Sequence, residues 1–176
     1  TVTVIEPPAI ATQPQSATIN SGQTVTLTVA ATGTGPQRYR GRNANGNIDG
    51  ATSSSHQTGA AGTYSVVVTN AAGSTPSSAA TVTVIVPPTI TSHPRSVTIN
   101  SGQTTTLSVT ASGTAPFTYQ WQRSNANITG ATSATYTTGL GGTYRVRVTN
   151  AAGTATSNSA TVTVSRKPRS RSCTRM

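Results

Sequence analysis

The sequence consists of two copies of one unit, and this repeat constrains the fold more than any other feature. Shifting the chain by 80 residues aligns residues 1–84 with residues 81–164 without a gap, and 50 of these 84 positions are identical. Each copy begins at a proline pair, Pro7-Pro8 or Pro87-Pro88, and ends on the sequence ATVTV. Because proline cannot donate to a sheet ladder, each pair predicts a stiff, extended connector. We therefore expect a tandem array.

Within each unit, apolar and polar residues alternate with the two-residue period of β-strands. In the second unit, residues 105–110 place Leu107 and Val109 on one face, and residues 117–122 (FTYQWQ) place all three aromatic side chains on one face. The chain is rich in Thr and Val, and only 8% of its residues are charged. About seven short strands in a unit of about 80 residues predict an all-β chain of two-sheet sandwiches.

The repeat also sets the expected domain boundaries. We predict one domain over residues 7–85, a second over residues 86–165, and a short Pro-Pro linker between them. Residues 1–6 would be the closing strand of a preceding repeat plus its linker, because TVTVI at 1–5 repeats TVTVI at 81–85. Either the chain is a segment of a longer array, which we favour, or this strand pairs with another copy and links chains head to tail. Residues 166–176 would form a basic, disordered tail.

The strand sequences TLSV and YQW, followed by GGTYRVRVTNAAG, carry a resemblance to a known family. Their order is similar to that of the I-set-type immunoglobulin-like repeats of bacterial surface and secreted proteins and of phage structural proteins. The resemblance covers residues 7–164. It implies two tandem immunoglobulin-like β-sandwich domains, with Tyr64 and Tyr144 each forming the tyrosine corner of that family.

The same resemblance implies which residues define the two cores. The cysteine pair that bridges the sheets in antibody domains is replaced by apolar pairs, Leu27 with Val66 and Leu107 with Val146. Cys173 is the only cysteine, so the chain cannot form an internal disulfide. Each domain must therefore fold through packing alone. The residues expected to define the fold are Trp121, Tyr64, Tyr144, Leu27, Val66, Leu107 and Val146.

The two copies differ most along one strand. Between residues 37 and 44 only Tyr39 matches its counterpart, and Gly41 stands where the second copy has Trp121. His56 likewise stands where the second copy has Tyr136. Because truncating a buried tryptophan costs roughly 3–5 kcal/mol, we expect the first domain to be the less stable one.

The divergent strand also introduces positive charge. Arg38, Arg40 and Arg42 alternate and therefore share its outward face, and Arg145 and Arg147 do the same on a later strand of the second copy. In the family that the chain resembles, these two strands lie in one sheet, so each domain would carry a basic strand face. One interpretation is a contact surface for an anionic partner. The other, which we favour from the sequence alone, is a solvated face that deters edge pairing.

The residues needed for catalysis are almost absent. Glu6 and Asp49 are the only carboxylate side chains, and neither recurs in the other copy, so no acid–base pair is predicted. His56 and His93 have no nearby cysteine or carboxylate with which to build a triad or a metal site. We therefore predict no enzyme activity and no catalytic, metal-binding or cofactor-binding residues.

The last stretch of the chain, SRKPRSRSCTRM, carries five of the 12 basic residues of a chain whose formal net charge is +10. Nucleic acid is disfavoured as a partner, because no aromatic residue is interleaved with these charges for base stacking. No run of about 18 apolar residues predicts a membrane span. The lone thiol of Cys173 could cross-link copies under oxidising conditions.

Two classes of function remain. The first is a structural or adhesive module of a bacterial cell surface, an extracellular filament or a virion, with neighbouring copies or other structural proteins as partners. The second is a recognition module that binds an anionic glycan or another polyanion through the basic strand face. Both predict an extracellular, cell-surface or virion-surface location. An accessory domain of an enzyme is a weaker third alternative.

Overall fold

The computed structural model describes residues 2–166, and all regular structure in that range is β. The chain divides between Ile85 and Val86 into two compact units, called domain 1 and domain 2 below. The predicted all-β class with two tandem sandwiches is confirmed. The predicted basic tail, with Cys173, lies outside the described residues except for Arg166, which is exposed.

Domain 1 contains ten short strands. They are β1 (Ala9–Thr12), β2 (Ala17–Asn20), β3 (Val25–Thr28), β4 (Ala30–Thr32), β5 (Arg38–Asn43), β6 (Gly46–Asn47), β7 (Ser55–Thr58), β8 (Gly62–Asn70), β9 (Gly73–Pro76) and β10 (Ala80–Ile85). The larger sheet has the order β2-β10-β8-β5-β6, with β9 also paired to β8. The pairs β1–β4 and β3–β7 form the opposing layer.

Domain 2 repeats this arrangement strand for strand. Its strands are β11 (Thr89–Ser92), β12 (Val97–Asn100), β13 (Thr105–Ser108), β14 (Thr110–Ser112), β15 (Thr118–Arg123), β16 (Ala126–Asn127), β17 (Thr135–Thr138), β18 (Gly142–Asn150), β19 (Gly153–Thr156) and β20 (Ala160–Ser165). The sheet order is β12-β20-β18-β15-β16, with β19 on β18 and separate pairs β11–β14 and β13–β17. The repeat in sequence is therefore a repeat in topology.

Each domain has ten strands, more than the predicted count of about seven, because three extended stretches of the chain are each divided in two. The first changes partner along its length: β1 pairs with β4, whereas β2 pairs with β10. The second is interrupted at Val29, whose N–H donates to the carbonyl of Ser54 at 2.9 Å. In the third, β9 pairs with one end of β8, and β10 pairs with the other end of β8. The first two divisions each let one stretch of chain pair with two different neighbouring strands.

The alternation predicted from sequence places the core. In β18, Tyr144, Val146 and Val148 are buried while the residues between them face outward. Leu107 and Val109 are both buried, as their pattern predicted. These side chains belong to the core cluster between the two layers of domain 2.

One glycine in each domain is required by a close backbone approach. A Cβ on Gly113, whose φ is +132°, would lie 2.7 Å from the carbonyl oxygen of Pro87. Gly33, with φ +119°, stands in the same relation to Pro7, at 2.6 Å. A larger residue would push away the proline connector that leads into the domain. The second proline of each pair, Pro8 or Pro88, is buried in its own domain.

Candidate functional site

The three arginines of β5 project from one face of the larger sheet of domain 1. Arg38, Arg40 and Arg42 are all exposed, whereas Tyr39 is half-buried and Gly41 between them is buried. Alternate residues of a strand are about 6.4–6.8 Å apart, so the three guanidinium groups start from evenly spaced positions. This exposed row is called the arginine row below.

The strand next to the arginine row in domain 1 is uncharged. In the antiparallel β5–β8 pair, Arg38 lies opposite Thr69 and Arg40 lies opposite Val67. Arg42 lies opposite Ser65. Neither acidic residue of the chain is on these strands, since Glu6 precedes β1 and Asp49 follows β6. The row therefore has no carboxylate on its own strand or on its partner.

In domain 2 the positive charge is on the partner strand of the same sheet. Arg147 lies opposite Gln120, and Arg145 lies opposite Gln122, in the β15–β18 pair. Each of these two cross-strand pairs, like its counterpart in domain 1, therefore holds one arginine. Arg147 is exposed. Both domains present a basic face on the corresponding sheet.

Among the five arginines predicted to bind a partner, Arg145 differs from the other four because a neighbouring side chain holds it in place. It is half-buried, and its Nε donates to Oε1 of Gln122 at 2.7 Å. Nε2 of Gln122 donates in turn to Oδ1 of Asn127 at 2.7 Å. These contacts leave Gln122 only 6% exposed, although the alternation of the strand places it on the outward face. The sequence pattern did not reveal this relay, since nothing in it indicates that Arg145 would cover Gln122.

The two predicted tyrosine-corner residues occupy equivalent, buried positions. The hydroxyl of Tyr64 donates to the carbonyl of Ala60 at 3.0 Å, and that of Tyr144 donates to the carbonyl of Leu140 at 2.8 Å. Each hydroxyl also contacts a threonine hydroxyl on the preceding strand, Thr58 at 2.9 Å or Thr138 at 3.1 Å. The tyrosines thereby tie β8 and β18 to the segments that precede them.

The apolar residues expected in place of a disulfide are buried in both domains. Leu107 and Val146 are almost fully enclosed, at 2% and 0% exposed. Leu27 and Val66 are slightly more open, at 7% and 9%. The difference matches the presence of Gly41 in domain 1 where domain 2 has Trp121.

Trp121 organises the core of domain 2. It is fully buried, its Nε1–H donates to the carbonyl of Ser133 at 2.9 Å, and its ring is 6.0 Å from that of Tyr136. It belongs to a single cluster that holds nine buried residues. The corresponding cluster of domain 1 holds five, and it excludes Val66 and Val68, which are nevertheless buried.

A cavity of about 30 Å³ lies beside Gly41 in domain 1. Leu27, Val29, Tyr64 and Val66 contribute to its walls. The space that a tryptophan side chain at position 41 would occupy is therefore only partly filled. We call this space the Gly41 cavity.

A side-chain amide fixes the segment that leads into each domain, and the sequence analysis did not predict it. Nδ2 of Asn70 donates to the carbonyls of Glu6 (2.6 Å) and Thr34 (2.9 Å). Nδ2 of Asn150 donates to the carbonyls of Val86 (2.7 Å) and Thr114 (2.8 Å). Each asparagine contacts only the backbone carbonyl of residue 6 or 86, so the side chain at that position can differ between the repeats. The sequence signal for this contact was that asparagine stands at the equivalent positions 70 and 150 of both repeats.

Within residues 2–166, no group of three or more His, Cys, Asp and Glu side chains could hold a metal ion. His56 and His93 are half-buried, and Nδ1 of His93 accepts a hydrogen bond from the N–H of Asn158 at 3.1 Å. In the same range no helix is long and apolar enough to cross a membrane. Residues 2–8 form no strand, although they include most of the predicted closing strand of a preceding repeat. Val2 and Val4 are exposed.

Comparison with solved structures identifies the same fold in proteins of distant sequence. An I-band fragment of titin superposes with a TM-score of 0.76 at 20% identity, covering 93% of this chain and 67% of that one. Immunoglobulin domains 1–4 of Sidekick-1 give a TM-score of 0.77 at 14% identity, covering 92% of this chain and 49% of that one. Extracellular domains 3–5 of Drosophila OTK give 0.65 at 17% identity, covering 92% and 63%. This chain thus spans about half to two thirds of these structures.

A search of curated protein sequences found no match. The immunoglobulin domain family matches residues 87–166, which is the whole described part of domain 2 apart from its first residue. Domain 1 has the same strand order and 80-residue register. Domain 2 therefore matches the immunoglobulin domain family, and both domains share the fold of tandem immunoglobulin-like β-sandwiches.

Proposed function

We propose that this chain is a non-enzymatic structural and adhesive module that bears tension between points of attachment at its two ends. The observation that carries the proposal is the parallel pairing of an early strand with the last strand in each domain. In domain 1, β2 pairs with β10 from Ala17 opposite Val82 to Asn20 opposite Ile85. In domain 2, β12 pairs with β20 in the same register.

Parallel pairing of these strands determines how tension acts on each domain. A force on the two ends of a domain pulls β2 and β10 in opposite directions along their length. The evenly spaced hydrogen bonds between parallel strands are then loaded together, instead of being opened one at a time from an end. The N–H of Ser21, which donates to the carbonyl of Ile85 at 2.8 Å, extends the ladder beyond the paired residues. This geometry favours resistance to extension.

The amide contacts of Asn70 and Asn150 support the same role. Each one anchors the backbone that leads into its domain to a loop of the same domain, so that each domain is closed at its leading end. The contacts use backbone carbonyls and are repeated 80 residues apart. A unit of this kind can be copied along an array without any change in its neighbours.

The setting that we propose is extracellular: a bacterial cell surface, an extracellular filament or the surface of a virion, as the sequence resemblance implies. The fold is shared with the extracellular domains of OTK, which supports a location outside the cell. Neighbouring copies and other structural proteins would be the partners. End-to-end pulling of single molecules tests this function, which predicts two separate unfolding events, each releasing about one repeat.

A second function, recognition of an anionic glycan, is favoured by the arginine row. Three exposed arginines at regular spacing, with no carboxylate on their strand or its partner, attract a linear polyanion. Replacing Arg38, Arg40 and Arg42 with glutamine should weaken retention on a sulfated polysaccharide at low salt while leaving the fold unchanged. Retention of that variant equal to that of the parent chain would remove this candidate.

A further inference from the structure

The two domains share an aromatic stack from which one ring is missing in domain 1. In domain 2, Tyr136 lies 6.0 Å from Tyr144 at an interplanar angle of 38°, and the ring of Trp121 lies 6.0 Å from that of Tyr136 at 30°. In domain 1, His56 and Tyr64 keep the geometry of the first pair, at 5.9 Å and 38°. The third ring has no counterpart, because Gly41 replaces the tryptophan.

The space for that third ring is partly preserved. The Gly41 cavity has apolar walls, including Leu27, Ile48 and Val66, and His56 and Tyr64 also line it. The exposed segment Ser53–Ser55 lies at its rim. An apolar cavity of this kind holds water poorly, because water needs two to four polar partners.

The loop that carries Ala51 packs directly against Gly41. A Cβ on Gly41 would lie 2.7 Å from the Cβ of Ala51, closer than real Cβ contacts allow, whereas domain 2 accommodates Trp121 beside Ala131. The loop keeps its hydrogen bond in both domains, from Gly41 N–H to Ala51 O at 2.8 Å and from Trp121 N–H to Ala131 O at 3.0 Å. A side chain or ligand ring at this position therefore requires Ala51 to move away from the strand.

We propose that domain 1 binds a planar aromatic molecule of indole size in the Gly41 cavity, where it completes the stack with His56 and Tyr64. The walls supply apolar contact, and the two rings supply a stacking surface. Ser53 lines the cavity and stands at the repeat position of Ser133, whose carbonyl accepts the N–H of Trp121, so we expect the carbonyl of Ser53 to accept a hydrogen bond from an N–H on the ligand. Binding displaces the Ala51 loop outward and restores the arrangement of domain 2.

The test titrates indole into the whole chain while ring and amide signals are followed by NMR. Half-saturation is expected at or below about 10 mM, the value that modest ligand efficiency gives for about nine heavy atoms. Shifts should be confined to Tyr64, His56 and the Ala51 loop, and the equivalent residues of domain 2 should not move. 1-Methylindole, which lacks the N–H, should bind about three- to tenfold more weakly. Shifts that do not saturate, or that are equal in both domains, would overturn the proposal.

Two variants provide matched controls. Gly41→Trp combined with Ala51→Gly fills the cavity without the Cβ clash and should abolish binding. Trp121→Gly creates the equivalent cavity in domain 2 and should raise the stoichiometry from one indole to two. If either variant fails to fold, the wild-type chain still tests the proposal. Indole should raise the unfolding temperature of domain 1 and leave that of domain 2 unchanged. A rise in neither transition, or an equal rise in both, would contradict the proposal.

Discussion

Gly41 and Ala51 pack so closely that a Cβ on Gly41 would lie 2.7 Å from the Cβ of Ala51. The counterpart of Gly41 in domain 2 is Trp121, which is fully buried. Domain 1 therefore packs the Ala51 loop closely against the strand at the position of the missing tryptophan, and the remaining cavity measures about 30 Å³. This close packing reduces the unfolding free energy that is lost with the missing ring, but it does not restore all of it.

The first prediction concerns the relative stability of the domains. Heating the chain should give two transitions, with domain 1 unfolding first, because its core cluster is smaller and lacks the tryptophan. Calorimetry with domain-resolved NMR would assign them. A single coincident transition, or domain 2 unfolding first, would show that the closed loop fully compensates for the missing ring.

The second prediction concerns repair of the core of domain 1. Gly41→Trp alone should lower the transition of domain 1, because its Cβ meets Ala51. Adding Ala51→Gly should reverse that loss and raise the transition above that of the parent chain. In domain 2, Trp121→Gly should cost about 3–5 kcal/mol of unfolding free energy. Stabilisation by Gly41→Trp alone would contradict the close packing described here.

The third prediction concerns the tyrosine hydroxyls. Tyr144→Phe should lower the unfolding free energy of domain 2 by about 1–3 kcal/mol, because it leaves the Leu140 carbonyl and the buried Thr138 hydroxyl without this partner. Tyr64→Phe should cost less, since Tyr64 is more exposed. Tyr119→Phe is the control, and denaturant titration should find it close to neutral. Equal effects at all three positions would rule out a specific contribution from the corner.

The fourth prediction concerns the amides that fix the leading segments. Asn150→Ala removes two hydrogen bonds to backbone carbonyls and should speed hydrogen exchange at the N–H of Thr114, which donates to the carbonyl of Val86. Asn70→Ala should do the same at Thr34 of domain 1. Each variant should leave exchange in the other domain unchanged, which makes the two domains mutual controls. Unchanged exchange at Thr114 in Asn150→Ala would contradict the anchoring role.

The period of the sequence was sufficient to predict the fold class and the buried faces. Leu107 and Val146 could be placed in the core because alternation in a strand assigns every second side chain to one layer. The outward placement of Arg38, Arg40 and Arg42 follows from the same rule. The repeat added a second, independent copy of each pattern.

The remaining features depend on tertiary contacts that no local pattern contains. Gln122 is buried on an outward-facing position, where Arg145 of the neighbouring strand and Asn127 hydrogen-bond to it. The closure of the Ala51 loop onto Gly41 depends on how far a loop relaxes when a ring is removed, which varies from site to site. A comparison of the two repeats identifies such positions, but the resulting geometry is set by the folded structure.

The most direct measurement of the central claim is single-molecule extension of the chain by its two ends. Two abrupt unfolding events are expected, each releasing roughly 260–290 Å of chain before the folded length is subtracted. Thr83→Pro removes a backbone N–H from β10, which pairs in parallel with β2, and should lower the force of one event only. Thr163→Pro in β20 should lower the other. Gradual extension at low force, or event forces unchanged in both variants, would contradict a tension-bearing role.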